Sequence, residues 1–263
     1  MLWAPIKYNP YPAMSSLKRV FFKAAALQDK QLKVVGDVYH HLFRVCRLEP
    51  GAALMLVDEA YNEYQGSVTV LTPDYGVISI QGDIALASNE ARPVSVPIHL
   101  GLALLKGPAM DLAIQKACEL GVTTITPLSF TRSVVKLDAA AAAQKQKRWQ
   151  KLAQEAAQQA KLLYVPQMAP LLSLGQFGAG VEAHVLQIFC NEHEQERSLK
   201  HMAADIAEAA AIYLITGPEG GFTLDESNFL KQVAWHSVSL GPTTLRAETA
   251  PLVALAQLRV LMD

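Results

Sequence analysis

The 263-residue chain predicts an α/β protein, a mostly parallel sheet covered by helices, preceded by a small β-rich domain. Two observations carry the prediction. From about residue 98 onward, short apolar runs alternate with helical stretches, the grammar of β/α units that bury a parallel sheet on both faces. Before about residue 86, short alternating stretches are separated by turn residues, which is how a small closed or nearly closed barrel of the size that holds oligonucleotides reads. A polar, proline-bearing segment at residues 87–97, with Ser88, Asn89, Glu90, Pro93 and Pro97, separates the two. The expected divisions are an extension at residues 1–15, a β-barrel domain at 16–90 and the α/β domain at 91–263.

The extension carries aromatic and proline residues but no apolar stretch of the signal-peptide kind. In the front domain, strands are expected at residues 53–57, 64–71 and 76–80, punctuated by Glu49-Pro50-Gly51, residues 59–62 and Thr72-Pro73-Asp74. Residues 38–47 read as helical, with Val38, Leu42 and Val45 on one side and Arg44 and Arg47 open to RNA. His40 and His41 are adjacent, so on a helix they diverge by about 100° and do not share a metal; no metal site is expected.

The second domain begins with a strand at residues 98–105. A helix follows at 110–120, with Met110, Ala113, Ile114 and Ala117 on one stripe and Gly121 as its stop. Next come a strand at 123–129, a long helix from about 138 to 163 and a strand at 184–190. Two short apolar runs, 212–216 and 238–240, each stop abruptly at Gly-Pro, and an apolar helix at 250–262 closes the series with Thr249 as its expected N-cap.

Half the residues, 51%, are apolar, yet no run reaches the roughly 18 residues needed to cross a membrane. Cys46, Cys118 and Cys190 are scattered without a CxxC pair, which argues against a disulfide framework or a zinc site and fits the cytoplasm. The net charge of −1 conceals segregation. Residues 15–47 hold seven basic against two acidic side chains, and residues 106–165 nine against four, while residues 182–226 hold two against nine. Two basic segments suit phosphate contacts on a nucleic acid; any one lysine of the 145–151 stretch reads as the solvated side of an Ala/Gln-rich helix.

The two Gly-Pro loops sit where open α/β sheets bind ligands, just past the carboxyl ends of strands. Gly217-Pro218-Glu219-Gly220-Gly221 is not a nucleotide-triphosphate loop, because no Lys-Ser/Thr pair follows. Its glycines leave bare backbone for a flat ligand, although the same residues also read as a plain strand-to-helix turn. Thr223-Leu224-Asp225-Glu226 is a capping box that starts the next helix. The second loop carries Arg246 and Glu248 between a buried strand and an apolar helix, a placement that points to a site.

The pairing of LITGPEGGF (residues 214–222) with SLGPTTLRAETA (residues 239–250) resembles the signature of the RsmE family of knotted SPOUT methyltransferases. The similarity extends to Lys106-Gly107, Gln115-Lys116-Ala117-Cys118-Glu119-Leu120-Gly121-Val122, Arg132-Ser133-Val134-Val135-Lys136-Leu137, Lys147-Arg148-Trp149 and Glu155-Ala156-Ala157. In the front domain it includes His41-Leu42-Phe43-Arg44-Val45, Arg47 and Gly51. The resemblance implies a SPOUT-type knotted parallel-sheet domain behind a PUA-like β-barrel, an obligate homodimer, S-adenosylmethionine as cofactor and N3 of a uridine in 16S ribosomal RNA as acceptor. It also implies an adenosine pocket formed by Leu214, Ile215, Thr216, Gly217, Gly220, Leu240, Gly241 and Leu245, largely through backbone. Expected RNA contacts are Arg19, Arg44, Arg47, Lys106, Arg132 and Lys161.

Two departures stand out. Where the family commonly has Ser/Cys-Gly-Arg after Gln158-Gln159, this chain has Ala160-Lys161-Leu162, and Thr243 replaces the basic residue often seen after the second Gly-Pro. Each removes an arginine near the expected site, and Lys161 offers only a point charge in place of a bidentate fork.

Chemically, the imide nitrogen N3 must lose its proton to act as a nucleophile. Glu248, or a water it holds, is the candidate base, with Arg246 facing negative charge on the uracil oxygens and Glu219 as the competing carboxylate. Methylation of another base or a ribose 2′-hydroxyl, and a catalytically silent RNA-binding dimer, stay open on the residues alone.

Overall fold

The computed structural model describes residues 17–59, 62–80, 96–180 and 185–262. The expected extension at 1–15 and most of the boundary segment at 87–97 lie outside the described residues. The described residues form two compact units.

In the first unit the strands are β1 (Lys18–Phe21), β2 (Leu27–Gln28), β3 (Gln31–Val34), β4 (Ala53–Val57), β5 (Glu63–Leu71) and β6 (Gly76–Ile80). They form one sheet in the order β1-β4-β5-β6-β3-β2, with β1 parallel to β4 and the other pairs antiparallel. The edge strands β1 and β2 are consecutive in the chain, joined by a link with a 3₁₀ turn at Ala24–Ala26. In a flat sheet five gaps would separate them by about 24 Å, whereas so short a link reaches only about 16 Å. The sheet therefore curls, nearly closed, around Val20, Leu32, Leu42, Phe43, Leu54, Leu56, Val68 and Ile78. Helix α1 (Gly36–Tyr39) runs into a π-helical turn at His40–Val45. That turn buries Leu42 and Phe43 and lays Phe43 against Gly76, where a Cβ would collide with the ring.

Arg19, expected among the RNA contacts, is largely shielded by an ion pair. Its Nη2 donates to Glu63 Oε1 at 2.7 Å, with the two side chains only 16% and 8% exposed. The alternation of β1 and the antiparallel course of β5 bring the cation and the carboxylate into the barrel wall, where pairing outweighs exposure. Arg19→Ala takes this cation away from a shielded carboxylate and is expected to lower stability by about 3 kcal/mol. Thermal melting of Arg19→Ala beside the double variant Arg19→Met/Glu63→Leu, which removes both charges and is expected to lose less, checks this.

The second unit contains β7 (Ile98–Ala103), α2 (Gly107–Glu119), β8 (Thr124–Ser129), α3 (Ala139–Gln159), β9 (Gln167–Met168), β10 (Leu172–Ser173) and α4 (Leu174–Ala179). It continues with β11 (Leu186–Cys190), α5 (Ala203–Glu208), β12 (Ile212–Thr216), α6 (Leu224–Gln232), β13 (His236–Val238) and α7 (Thr249–Met262). The sheet order is β10-β8-β7-β12-β11-β13, with β9 also on β8, and each pairing among the described residues is parallel. β12, with Ile212, Leu214, Ile215 and Thr216 wholly buried, lies between β7 and β11.

The helices form for local reasons. α2 buries the expected stripe of Met110, Ala113, Ile114 and Ala117 and ends at Gly121, whose φ of +81° suits glycine. α3 is capped by the Asp138 side chain, which accepts from the Ala141 N–H at 2.8 Å. It stops at Gln159, short of the expected 163, because Lys161 turns into the left-handed region at φ +57° while Leu162 N–H bonds back to Ala157 O. Helix α7 begins at Thr249, so that residue lies within the first turn and not before it. Among the described residues no helix is long and apolar enough to cross a membrane.

Candidate active site

Three parallel strands, β12, β11 and β13, end side by side, and the segments that leave them enclose a cleft of about 450 Å³. That is within the roughly 300–1,000 Å³ usual for small-molecule sites. Gly217, Pro218, Glu219 and Gly221 line it from the first loop, and residues 239–248 with Ala250 from the second. Cys190, Asn191 and Glu192 line it from the end of β11.

The first loop is held by its neighbours. The Gly221 N–H donates to Pro218 O at 2.9 Å, closing a turn in which Gly221 has φ +66°. Arg132 Nη1 donates to the carbonyls of Gly220 and Phe222 at 3.1 and 3.2 Å. Glu219 Oε1 accepts from the Lys106 N–H at 3.3 Å, so this carboxylate ties two loops together. Thr223 and Glu226 form the expected capping box of α6, and Glu226 Oε1 also accepts from the Thr131 N–H at 2.8 Å.

Burial alone would raise the Glu226 carboxyl pKa, but the backbone N–H groups of Thr131 and Thr223 outweigh it and hold the group below the usual carboxylate range. A lowered folded-state pKa means that the unfolded chain binds the proton more tightly. The stabilisation is complete above the ordinary carboxylate range and is lost as pH falls through the lowered value. Glu226→Gln is therefore expected to lower the melting temperature at pH 7 and to flatten its fall between pH 5 and pH 3, measured by circular dichroism.

The second loop leaves β13 through Ser239, whose N–H donates to Arg197 O at 2.7 Å and whose hydroxyl bonds Gly241. Gly241 has φ +136°, a conformation for glycine. Arg246 and Glu248 project at the cleft rim with Nη1 3.9 Å from Oε1; the guanidinium is 86% exposed and the carboxylate 21%. The N–H groups of Thr249 and Ala250 both bond to Arg246 O, anchoring the pair to the first turn of α7.

Of the residues expected around the adenosine, Gly217, Leu240, Gly241 and Leu245 line this cleft, as do Arg246 and Glu248. Leu214, Ile215 and Thr216 are wholly buried in β12 behind it, and Gly220 faces Arg132, whose Cβ lies 2.9 Å from where its own would stand. Arg132, expected to meet RNA, braces the loop. Lys106 and Lys161 are exposed, as are Arg44 and Arg47 in the other unit. Cys190, Asn191 and Glu192 were not anticipated; the signal available was that β11 is a third apolar run ending at polar residues. Burial pushes the Cys190 thiol up to about 12, so it packs and does not act as a nucleophile. Among the described residues no three His, Cys, Asp or Glu side chains are placed to hold a metal.

The cleft offers polar and apolar lining side by side and so suits a ligand that carries both. Gly217, Gly221 and Gly241, with their bare backbone, and Leu240, Leu245 and Ala247 line it, and just behind it the buried hydroxyl of Thr216 has no hydrogen-bond partner among the described residues. A family described as RNA methyltransferase domain matches residues 92–259, and one described as RNA methyltransferase PUA domain matches residues 36–81. The class is thus an RNA methyltransferase, an α/β parallel-sheet domain behind a PUA-like one.

Ribosomal RNA small subunit methyltransferase E of Synechocystis sp. is 32% identical over 85% of this chain and 71% of its own. That of Bacillus subtilis is 27% identical over 91% and 95%. The putative methyltransferase Lpg2936 from Legionella pneumophila, solved with the bound cofactor SAM, superposes with a TM-score of 0.83 at 27% identity, covering 93% of this chain and 97% of that one. The chain belongs to the ribosomal RNA small subunit methyltransferase E family.

Proposed function

We propose that this protein methylates N3 of a uridine in 16S ribosomal RNA with S-adenosylmethionine as donor, as a homodimer in the cytoplasm acting on RNA of the small ribosomal subunit. The observation that carries the reading is the cleft at the ends of β11, β12 and β13, with bare glycine backbone inside and Arg246 and Glu248 together at its rim. Gly217, Gly221, Leu240, Gly241 and Leu245 would hold the adenosine, with Leu214, Ile215, Thr216 and Gly220 shaping the strand and turn behind it. Bound S-adenosylmethionine supplies an electrophilic methyl on a sulfonium.

The chain's own groups do the remainder. The cleft's residues would hold the donor and orient it toward the acceptor nitrogen, and positioning of that kind supplies on the order of 7–11 kcal/mol in the best cases. Glu248, shielded but reachable, takes the N3 proton. Arg246, beside it and open to solvent, meets the charge that spreads onto the uracil oxygens. In the front unit the exposed Arg44, within the π-helical turn, and Arg47, just after it, would contact phosphates, as Lys106 and Lys161 would in the other.

The test is incubation with S-adenosylmethionine and 16S ribosomal RNA, followed by nucleoside mass spectrometry. N3-methyluridine is the expected product. Methylation of a ribose or another base would redirect the acceptor assignment, and no product from a protein that binds the RNA would make it a silent binder.

A further inference from the structure

The charge of the cleft is of the wrong sign for an anionic ligand. Glu192, Glu219 and Glu248 line it against one cation, Arg246. Two of the three carboxylates are engaged elsewhere, Glu219 on the Lys106 N–H and Glu248 beside Arg246. Glu192 meets no arginine or lysine among the described residues: its ion-pair contact is the neighbouring His193 Nε2, at 3.9 Å, an imidazole that is charged only when protonated, and its side chain is 32% exposed.

Its position is nevertheless fixed. The preceding Asn191 extends the sheet through its N–H to Val238 O at 2.9 Å and donates from Nδ2 to Ser237 Oγ of β13 at 3.2 Å. The following His193 N–H returns to Asn191 Oδ1 at 3.1 Å. So held, the Glu192 carboxylate rests on Gly221, where any Cβ would collide with it. A bare glycine at that point makes room for a carboxylate directly above the first loop.

Topology says which part of a ligand this carboxylate meets. In the order β12-β11-β13, β11 lies between the strands that carry the two loops, so a ligand touching both loops passes over the end of β11 at its middle. In S-adenosylmethionine the sulfonium is the middle, between the adenosine and the amino-acid end. Resting on the reading that the cleft holds this cofactor, we infer that Glu192 is a specificity-determining residue whose carboxylate recognises the sulfonium and so ranks the methyl donor above its demethylated product. The donor carries one more positive charge than S-adenosylhomocysteine, and a partly shielded carboxylate attracts that charge with little screening. The amino-acid end is common to both molecules and cannot produce such a difference.

The experiment is calorimetric titration of the full chain with S-adenosylmethionine and separately with S-adenosylhomocysteine, for wild type, Glu192→Gln and Glu192→Asp. Wild type is expected to prefer the donor. Glu192→Gln should weaken the donor about tenfold, equivalent to about 1.4 kcal/mol, and the product less than about twofold. Glu192→Asp, which keeps the charge, should restore most of the preference. Equal weakening of both ligands by Glu192→Gln, no weakening of either, or a Glu192→Asp protein that discriminates no better than Glu192→Gln would each overturn the inference while leaving the cofactor site standing. A folded wild-type protein that binds neither ligand would overturn the function proposed above and this inference with it.

Discussion

Glu248→Gln is expected to lower the turnover number by about 10²–10³ at saturating cofactor and RNA, with S-adenosylmethionine affinity changed by less than about threefold. The range follows from what a positioned general base contributes. The split between rate and affinity follows from geometry. Glu248 stands at the rim beside Arg246, 3.9 Å away, and the amide keeps the size of the side chain while losing its charge and its ability to take a proton. Arg246→Ala should lower turnover by about 10², since the guanidinium meets charge that develops only during reaction. Single-turnover kinetics alongside calorimetry separate the two quantities. Full turnover in Glu248→Gln would transfer the base role elsewhere, with Glu219 the first candidate, and full turnover in Arg246→Ala would remove the guanidinium from the account of the charge on the uracil oxygens.

Gly221→Val should reduce S-adenosylmethionine affinity by more than about 100-fold, equivalent to about 2.7 kcal/mol. A side chain there strains the backbone and displaces a neighbour that lines the cleft. The backbone has φ +66°, a conformation that a β-branched residue adopts only under strain, and the new Cβ would drive into the Glu192 carboxylate. Gly175→Ala is the matched control. Gly175 lies in α4 with nothing within 4 Å of a new Cβ, so the change should leave affinity unaltered and, through helix propensity, leave stability equal or slightly higher. Calorimetry and a thermal melt on both proteins decide it.

The parallel sheet was legible because its interior strands are short apolar runs that end on turn residues, as Ile212–Thr216 does at Gly217-Pro218. The two glycine loops announced themselves in the same way. What remained hidden is what arrives from a distance. Arg132 lies 88 positions from the Gly220 carbonyl it holds, and in sequence it is one more cation in a basic stretch. Arg19 likewise pairs with Glu63, 44 positions on, by virtue of strand register, which composition does not encode. Glu192 follows β11 with neither glycine nor proline to mark a loop. The elements β9, β10, α4 and α5 went unforeseen because two to six residues are too few to show a period.

The cleft has walls of unequal stiffness. β12 is buried and hydrogen-bonded on both sides, whereas residues 241–244 and 246 of the second loop are exposed and stand on few bonds. Local opening draws on the least buried segments first, so amide hydrogens of the loop should exchange with solvent long before those of the strand. In kinetic terms, the strand ends are expected to decide what fits, and local opening of the loop to set how long an occupant stays.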